Sequence, residues 1–205
     1  MSDRPPLLSA GTVEVRPLSA YTGAEIRGVD LRSPLRPDEV EAIRTALLQW
    51  KVVFFRDQPL DHAQHVALAR PLSETTLGHP VFGHEEGFPE VYSIAKYRRA
   101  NSHESQPELR PWTGWHTDVT AAHNPPAISI LRGVTIPPYG GDTQWTNLVA
   151  AYRALSEPLQ RFVDGLRGVH RFAPPVGATP SKEYLELVQS RTLVSEHPLV
   201  RVHPE

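Results

Sequence analysis

Alternating and helical patterns of apolar residues follow one another along the first part of the chain. Residues 13–18 alternate between apolar and polar, which predicts a strand. Residues 24–31 also alternate, and a change of phase at Gly28 predicts a bulge there. Residues 35–50 begin with a proline and two acids and then repeat apolar side chains at helical spacing. We therefore expect an amphipathic helix after the two strands.

Short apolar runs and turn-forming segments make up the rest of the chain. The pattern predicts strands at residues 51–57, 91–95, 127–137 and 143–146, and helices at 61–70, 148–155, 156–166 and from 181 onward. Residues 73–112 are otherwise irregular. Turns rather than crossover helices join the later strands. The fold class predicted is therefore α+β and mostly β, with an antiparallel sheet or sandwich and helices packed outside.

Composition narrows the class of protein. The 205 residues allow one domain, with a Pro/Ser/Gly-rich flexible tail at 1–11 and the domain at 12–205. A hydrophobic fraction of 40% and a net charge of −2 exclude a disordered chain and a general nucleic-acid binder. The sequence has neither an apolar run long enough to span a membrane nor a signal-peptide pattern at its start. We therefore expect a cytoplasmic protein with no membrane partner; a homo-oligomer is compatible with this sequence.

The chain has no cysteine and ten histidines, so any metal must be held by His, Asp or Glu. The pattern His-x-acid occurs at residues 84–86, 116–118 and 203–205. On a strand this spacing places both side chains on one face. The first instance lies in a polar loop and the third at the end of the chain, which leaves His116 and Asp118 as the candidate. A metal site and a hydrogen-bonded pair that holds a turn are both consistent with this spacing.

Several motifs occur in an order that is typical of one enzyme family. They lie at residues 23–31, 52–56, 78–81, 115–120, 125–127, 140–145, 150–156 and 197–205. Together they resemble the taurine/α-ketoglutarate dioxygenase family (TauD/TfdA type) over nearly the whole chain from about residue 12. The resemblance implies an enzyme dependent on Fe(II) and 2-oxoglutarate. It also implies a double-stranded β-helix (jelly-roll) core with flanking helices.

The resemblance also implies roles for individual residues. His116 and Asp118 become two ligands of a 2-His-1-carboxylate iron site. Thr143 matches the threonine that bonds the distal carboxylate of 2-oxoglutarate, and His79 matches a histidine that contacts the anionic group of the substrate. The implied reaction consumes O₂ and hydroxylates a small anionic molecule of the sulfonate, alkyl sulfate or carboxylate class. Succinate and CO₂ are released.

Two candidate substrate-binding residues depart from the taurine enzyme of this family. Phe82 stands where that enzyme has tyrosine, so one hydrogen bond to the substrate is lost. Trp112 stands where it has a polar amide, which predicts a larger or more aromatic pocket. Both departures argue against taurine as the substrate.

The second iron-binding histidine of the family and its 2-oxoglutarate arginine follow the motif at residues 197–205, and this sequence ends at that motif. His197 and His203 fall at family positions that are not ligands. We therefore expect a C-terminally incomplete domain, which by itself binds iron weakly and is inactive. A catalytically inactive remnant and a metal-binding jelly roll of another type are the alternatives. A histidine and an arginine in sequence beyond residue 205 would favour the oxygenase.

Overall fold

Both helices and strands occur in the computed structural model, which describes residues 9–10, 13–79, 83–94, 115–136, 138–140, 142–172, 182, 186, 189–190 and 193–205. The strands are β1 (Ser9–Ala10), β2 (Val13–Pro17), β3 (Ala24–Arg27), β4 (Val53–Phe54), β5 (Arg167–Arg171) and β6 (Val194–Pro198). The helices are α1 (Pro37–Trp50), α2 (His62–Ala69), α3 (Leu148–Arg153) and α4 (Glu157–Asp164). Helical residues outnumber strand residues in this part of the chain, so the expectation of a mostly β protein is corrected to a mixed one. None of the described helices is both long and apolar enough to cross a membrane.

The chain divides into two compact units. The first unit comprises Met1–Glu74, Asp142–Arg161 and His203–Glu205, and the second comprises Thr75–Gly141 and Phe162–Val202. The first unit contains a four-stranded sheet in the order β1-β2-β3-β4, and the second contains the two-stranded β5–β6 sheet.

Both directions of strand pairing occur in the first unit. The β1–β2 and β2–β3 pairs are antiparallel, whereas β3 and β4 run parallel, with Ala24 opposite Val53. Helix α1 lies between β3 and β4 in the chain. It carries the chain back to the end of the sheet at which β3 begins, so that β4 can run parallel to β3. The predicted antiparallel pairing is therefore correct for β1–β2, β2–β3 and β5–β6 and wrong for β3–β4.

Strand β3 ends at Gly28 instead of continuing through a bulge. Gly28 has φ +81°, a backbone conformation that turns the chain out of the sheet at little cost for glycine. The next backbone groups bond to a side chain. Leu31 N–H donates to Gln58 Oε1 at 3.0 Å, and Gln58 Nε2 donates to the Val29 carbonyl at 3.1 Å. Because Gln58 satisfies these groups, the segment needs no partner strand.

Local sequence explains where the helices of the first unit begin. At the start of α1, Arg36 N–H donates to Glu39 Oε2 at 2.8 Å, and α1 packs with Ile43 1% exposed and Ala46 fully buried. At the start of α2, Asp61 and Gln64 accept from each other's backbone N–H groups, which is a capping box. The helices predicted at 35–50 and 61–70 are confirmed in type and position.

The last residues of the chain are held against the first unit. Arg44 donates to the Leu72 carbonyl at 2.9 Å and to Glu205 Oε1 at 2.5 Å. From the sequence alone we predict no partner for the His203-x-Glu205 pattern at the end of the chain. Arg44 is that partner, and it occupies the carboxylate in an ion pair.

Several predicted strands are not strands. Residues 91–94, 127–136 and 143–146 form no sheet ladder, although residues 127–136 include the apolar side chains of Leu131, Val134 and Ile136. These three side chains are 64–78% exposed. A strand exists only where a second strand accepts and donates its backbone hydrogen bonds, and periodicity in one segment does not supply that partner.

Candidate functional site

His116 and Asp118 lie together at the start of a turn in the second unit. The distance from His116 Nε2 to Asp118 Oδ1 is 3.4 Å, and both side chains are about half exposed. The two residues are not on a strand, so the argument from strand spacing is wrong about how they meet. The chain turns directly after them: Val119 has φ +52°, and Ala122 N–H donates to the Val119 carbonyl at 3.0 Å.

Ser129 orients the carboxylate of Asp118. Its hydroxyl donates to Asp118 Oδ2 at 2.8 Å, which leaves Oδ1 directed at His116. Hydrogen bonds of this kind hold metal-binding carboxylates in one orientation. The hydrogen bond from Ser129 to Asp118 Oδ2 therefore holds Asp118 Oδ1 in place opposite His116 Nε2.

The donor atoms of this pair fit a divalent first-row metal. Two atoms that each lie about 2.1 Å from one metal are about 3.0–3.4 Å apart at angles between about 90° and 110°. The separation of 3.4 Å between His116 Nε2 and Asp118 Oδ1 falls at the wide end of that range. An imidazole nitrogen and a carboxylate oxygen belong to the donor set that non-haem Fe(II) prefers. Among the described residues, no third histidine or acid joins them in a cluster.

An aromatic cluster encloses His79 in the same unit. The imidazole centroid lies 5.3 Å from the Tyr92 ring and 5.1 Å from the Phe172 ring. The backbone of His79 exchanges two hydrogen bonds of 2.8 Å with Gly83 and so closes a short loop. Gly78 is required beside this loop, because a Cβ there would lie 2.5 Å from the Gly83 carbonyl oxygen. His79 thus closes a loop with its backbone and presents its ring to an aromatic wall.

The electrostatic field of Asp118 reaches this cluster. Burial lowers the pKa of His79, and the negative charge of Asp118 opposes that shift. Burial raises the pKa of Tyr92, and Asp118 raises it further. At neutral pH the His79 ring is therefore neutral and donates one N–H, in contrast to the imidazolium that an anion-binding role would favour.

The other predicted site residues are placed differently. Thr143 is an exposed residue of the first unit, in a segment held by an edge-to-face contact of 5.3 Å between Trp145 and Phe54. Phe82 and Trp112 lie outside the described residues. The structure therefore brings His116, Asp118 and the surroundings of His79 together in one unit, and their predicted roles remain predictions.

Comparison with known proteins decides the family. The model of the "Taurine catabolism dioxygenase TauD, TfdA family" matches residues 14–205. The chain belongs to this family.

Some relatives within the TauD/TfdA family have names that refer to sulfur compounds, and others are named for 2,4-dichlorophenoxyacetate. The chain is 38% identical to an alpha-ketoglutarate-dependent sulfate ester dioxygenase of Pseudomonas putida, and the match covers 94% of this chain and 63% of that protein. It is 37% identical to an alkylsulfatase of Acinetobacter baylyi, over 94% of this chain and 60% of that protein. A solved structure described as a taurine dioxygenase from Burkholderia xenovorans is 61% identical, with a TM-score of 0.75 over 95% of this chain and 60% of that one. The chain thus spans about three fifths of the length of these relatives.

Several residues around this TauD/TfdA site have no counterpart in the sequence-based prediction. Ser129 contacts Asp118, and Tyr92 and Phe172 contact His79. Ser195 and His197 contact the backbone just after the His116–Asp118 pair. Of these residues only His197 appears in the sequence analysis, as a position of the family motif that is not an iron ligand.

Proposed function

We propose that this protein is an Fe(II)- and 2-oxoglutarate-dependent dioxygenase that hydroxylates a small organic sulfate ester or sulfonate. The observation that carries the proposal is the pair of donor atoms on His116 and Asp118, held 3.4 Å apart with Ser129 behind the carboxylate, in a chain of the TauD/TfdA family. In the proposed reaction one atom of O₂ enters the substrate and the other enters succinate, with loss of CO₂.

His116 Nε2 and Asp118 Oδ1 would hold the iron. Iron supplies the activation of O₂ when it is bound together with 2-oxoglutarate. Asp118 would provide one of the negative charges that balance the charge of Fe(II). Ser129 would donate its hydrogen bond to the second carboxylate oxygen of Asp118, Oδ2. Because the His116 and Asp118 side chains are both about half exposed, a metal ion held by this pair would be accessible to 2-oxoglutarate from solvent.

The substrate class rests on the relatives and on His79. Two of the relatives bear names for activity on sulfate esters. A neutral His79 donates a single N–H to a sulfate or sulfonate oxygen, and the arriving anion favours protonation and a stronger, charge-assisted bond. Tyr92 and Phe172 would cover the apolar part of the substrate beside it. The absence of tyrosine at Phe82 and of an amide at Trp112 supports a sulfate ester over taurine.

Two further proposals complete this function. Thr143 would donate its hydroxyl to the distal carboxylate of 2-oxoglutarate, as its place in the family motif implies. The exposed apolar side chains of Leu131, Val134 and Ile136 support a jelly-roll core, in which residues 127–136 would pair as a strand.

Turnover of the protein at its natural length tests the proposal. The protein would be incubated with Fe(II), 2-oxoglutarate, O₂ and either a short alkyl sulfate, taurine or phenoxyacetate, and succinate would be measured. Hydroxylation of the carbon beside the ester oxygen gives a product that eliminates sulfate, whereas the same step in a sulfonate releases sulfite. We expect succinate and sulfate in equal amounts with the alkyl sulfate, and much less succinate with the other two compounds.

A Thr143→Val variant serves as the control for the co-substrate. It should require roughly tenfold more 2-oxoglutarate, because a hydrogen bond to a charged group contributes about 1.5 kcal/mol or more.

Iron binding by the parent protein without any succinate release would favour a catalytically inactive remnant instead. Succinate release with phenoxyacetate alone would contradict the proposed substrate class.

A further inference from the structure

The β5–β6 sheet buries a polar face, and its opposite face carries exposed valines beside the exposed ion pair of Arg167 with Glu196. Ser195 and His197 of β6 are 8% and 6% exposed, whereas Val169 of β5 and Val194 of β6 are 66% and 44% exposed. Ala121 is the one apolar side chain in the described part of the second unit that is comparably buried. Polar groups are buried at a cost unless they are hydrogen-bonded, so the pair must satisfy specific partners.

Those partners are two backbone carbonyls of the turn that follows Asp118. Ser195 Oγ lies 3.0 Å from the Thr120 oxygen and 3.2 Å from the Ala122 oxygen. His197 Nε2 lies 3.0 Å and 3.1 Å from the same two atoms. Carbonyl oxygens only accept, so Ser195 O–H and His197 Nε2–H are the two donors that match the two acceptors. This requires the His197 tautomer with hydrogen on Nε2.

The ring of His197 is also held from the side. The His170 ring of β5 meets it edge-on, with centroids 5.3 Å apart. The 2.9 Å contact between Ser195 Oγ and His197 Nε2 has the spacing of a nucleophile and its base. Both residues are more than nine-tenths buried, however, and their hydrogens are directed at backbone carbonyls, so this pair anchors the backbone instead of attacking a substrate.

The turn that they hold carries backbone strain. Val119 has φ +52°, in the left-handed region that a β-branched residue avoids. Such a conformation persists only where the surrounding structure imposes it. The anchored carbonyls belong to Thr120 and Ala122, immediately after Val119, and Asp118 immediately precedes it.

We propose that Ser195 and His197 are positioning residues that fix the Asp118 carboxylate through the turn at residues 119–122. Without their two donors, Val119 relaxes to negative φ and the Asp118 backbone rotates, which moves the carboxylate away from His116. The proposal rests on the proposed function in one respect, because metal affinity is one of its two readouts. The other readout, protection of the turn, does not depend on metal.

A pair of substitutions at His197 tests this role. His197→Phe keeps a planar ring and removes the donor, and His197→Gln retains an N–H near the Nε2 position. His203→Phe is the matched control, since His203 is exposed and lies in the first unit. For each variant of the natural-length protein, Mn(II) affinity would be measured by calorimetry, and exchange of the Ala122 amide by NMR in metal-free protein. Circular dichroism would confirm folding.

We expect His197→Phe to lower Mn(II) affinity about tenfold or more and to accelerate exchange of the Ala122 amide, since loss of groups that orient metal ligands typically costs 10–100-fold in affinity. His197→Gln and His203→Phe should remain close to the parent protein in both measurements. Should His197→Phe fail to fold, Ser195→Ala, with Ser195→Thr as the restoring variant, provides the same comparison.

Equal Mn(II) affinity and equal Ala122 exchange in His197→Phe and the parent would overturn the proposal. Equal losses in His197→Phe and His197→Gln would overturn it as well, because a lost ring rather than a lost donor would then be responsible. If the parent binds no Mn(II), the iron-dependent function fails, and the exchange of Ala122 still decides the role of Ser195 and His197.

Discussion

Replacing Asp118 with alanine should reduce the affinity for Fe(II) or Mn(II) by more than about 100-fold. Loss of a group that only orients a ligand already costs 10–100-fold, and Asp118 would be a ligand itself. His116→Ala should have an effect of similar size, because the two donor atoms lie 3.4 Å apart and would bind the same ion. Calorimetric titration of the natural-length protein with Mn(II) measures both effects.

His123→Ala is the control for these variants. His123 is exposed and lies in the same segment, seven residues after His116. It should bind Mn(II) as tightly as the parent protein does. Unchanged affinity in both His116→Ala and Asp118→Ala would show that these residues form a hydrogen-bonded pair in a turn and are not an iron site.

Ile43→Ala should lower the free energy of unfolding of the first unit by about 2–5 kcal/mol. Ile43 is 1% exposed on the buried face of α1, so truncation leaves a cavity in the core of that unit. Native-state hydrogen exchange at the α1 amides reports on this unit separately from the second one.

Leu48→Ala provides the comparison within the same helix. Leu48 is 36% exposed, so its truncation removes fewer contacts and should cost clearly less than that of Ile43. Similar costs at the two positions would mean that α1 does not pack against the sheet through Ile43.

Elements governed by local interactions could be predicted from the sequence. Helix α1 follows from a proline and two acids ahead of an apolar stripe, and α2 from the reciprocal cap of Asp61 and Gln64. Asn147 directly precedes the helix predicted at 148–155 and caps it by accepting from Ala150 N–H at 3.1 Å. Each of these contacts spans three or four residues, so the determinants lie within one short window.

Elements governed by distant partners could not be predicted in the same way. Residues 127–136 have the composition of a strand, but none of the described residues pairs with them in a sheet. Strand β3 ends before Gly28, where Gln58, 29 residues from Val29, takes over the backbone hydrogen bonds. A pattern of apolar positions does not show which distant side chain will hydrogen-bond to the backbone of a segment. The same limit applies to the parallel β3–β4 pair.

The candidate site contains residues that could be predicted from the sequence and residues that depend on distant contacts. His116 and Asp118 were found from their spacing and from the family motif, although they sit in a turn and not on a strand. Ser129 was not found, because its contact with Asp118 spans eleven residues and depends on how the intervening chain folds back. Tyr92 and Phe172 were not found either, since each meets His79 only through the fold.

The hydrogen bonds from Ser195 and His197 also bear on the order of events during folding. They join residues that are 73–77 positions apart, whereas the caps of α1 and α2 close within a single turn. Closing a loop of about 75 residues costs about 1.8 kcal/mol more entropy than closing one of about ten. The turn beside Asp118 therefore reaches its strained geometry late, after the helices of the first unit have formed. During synthesis His116 and Asp118 leave the ribosome well before β6 does, so we expect them to acquire their final arrangement only after β6 has emerged.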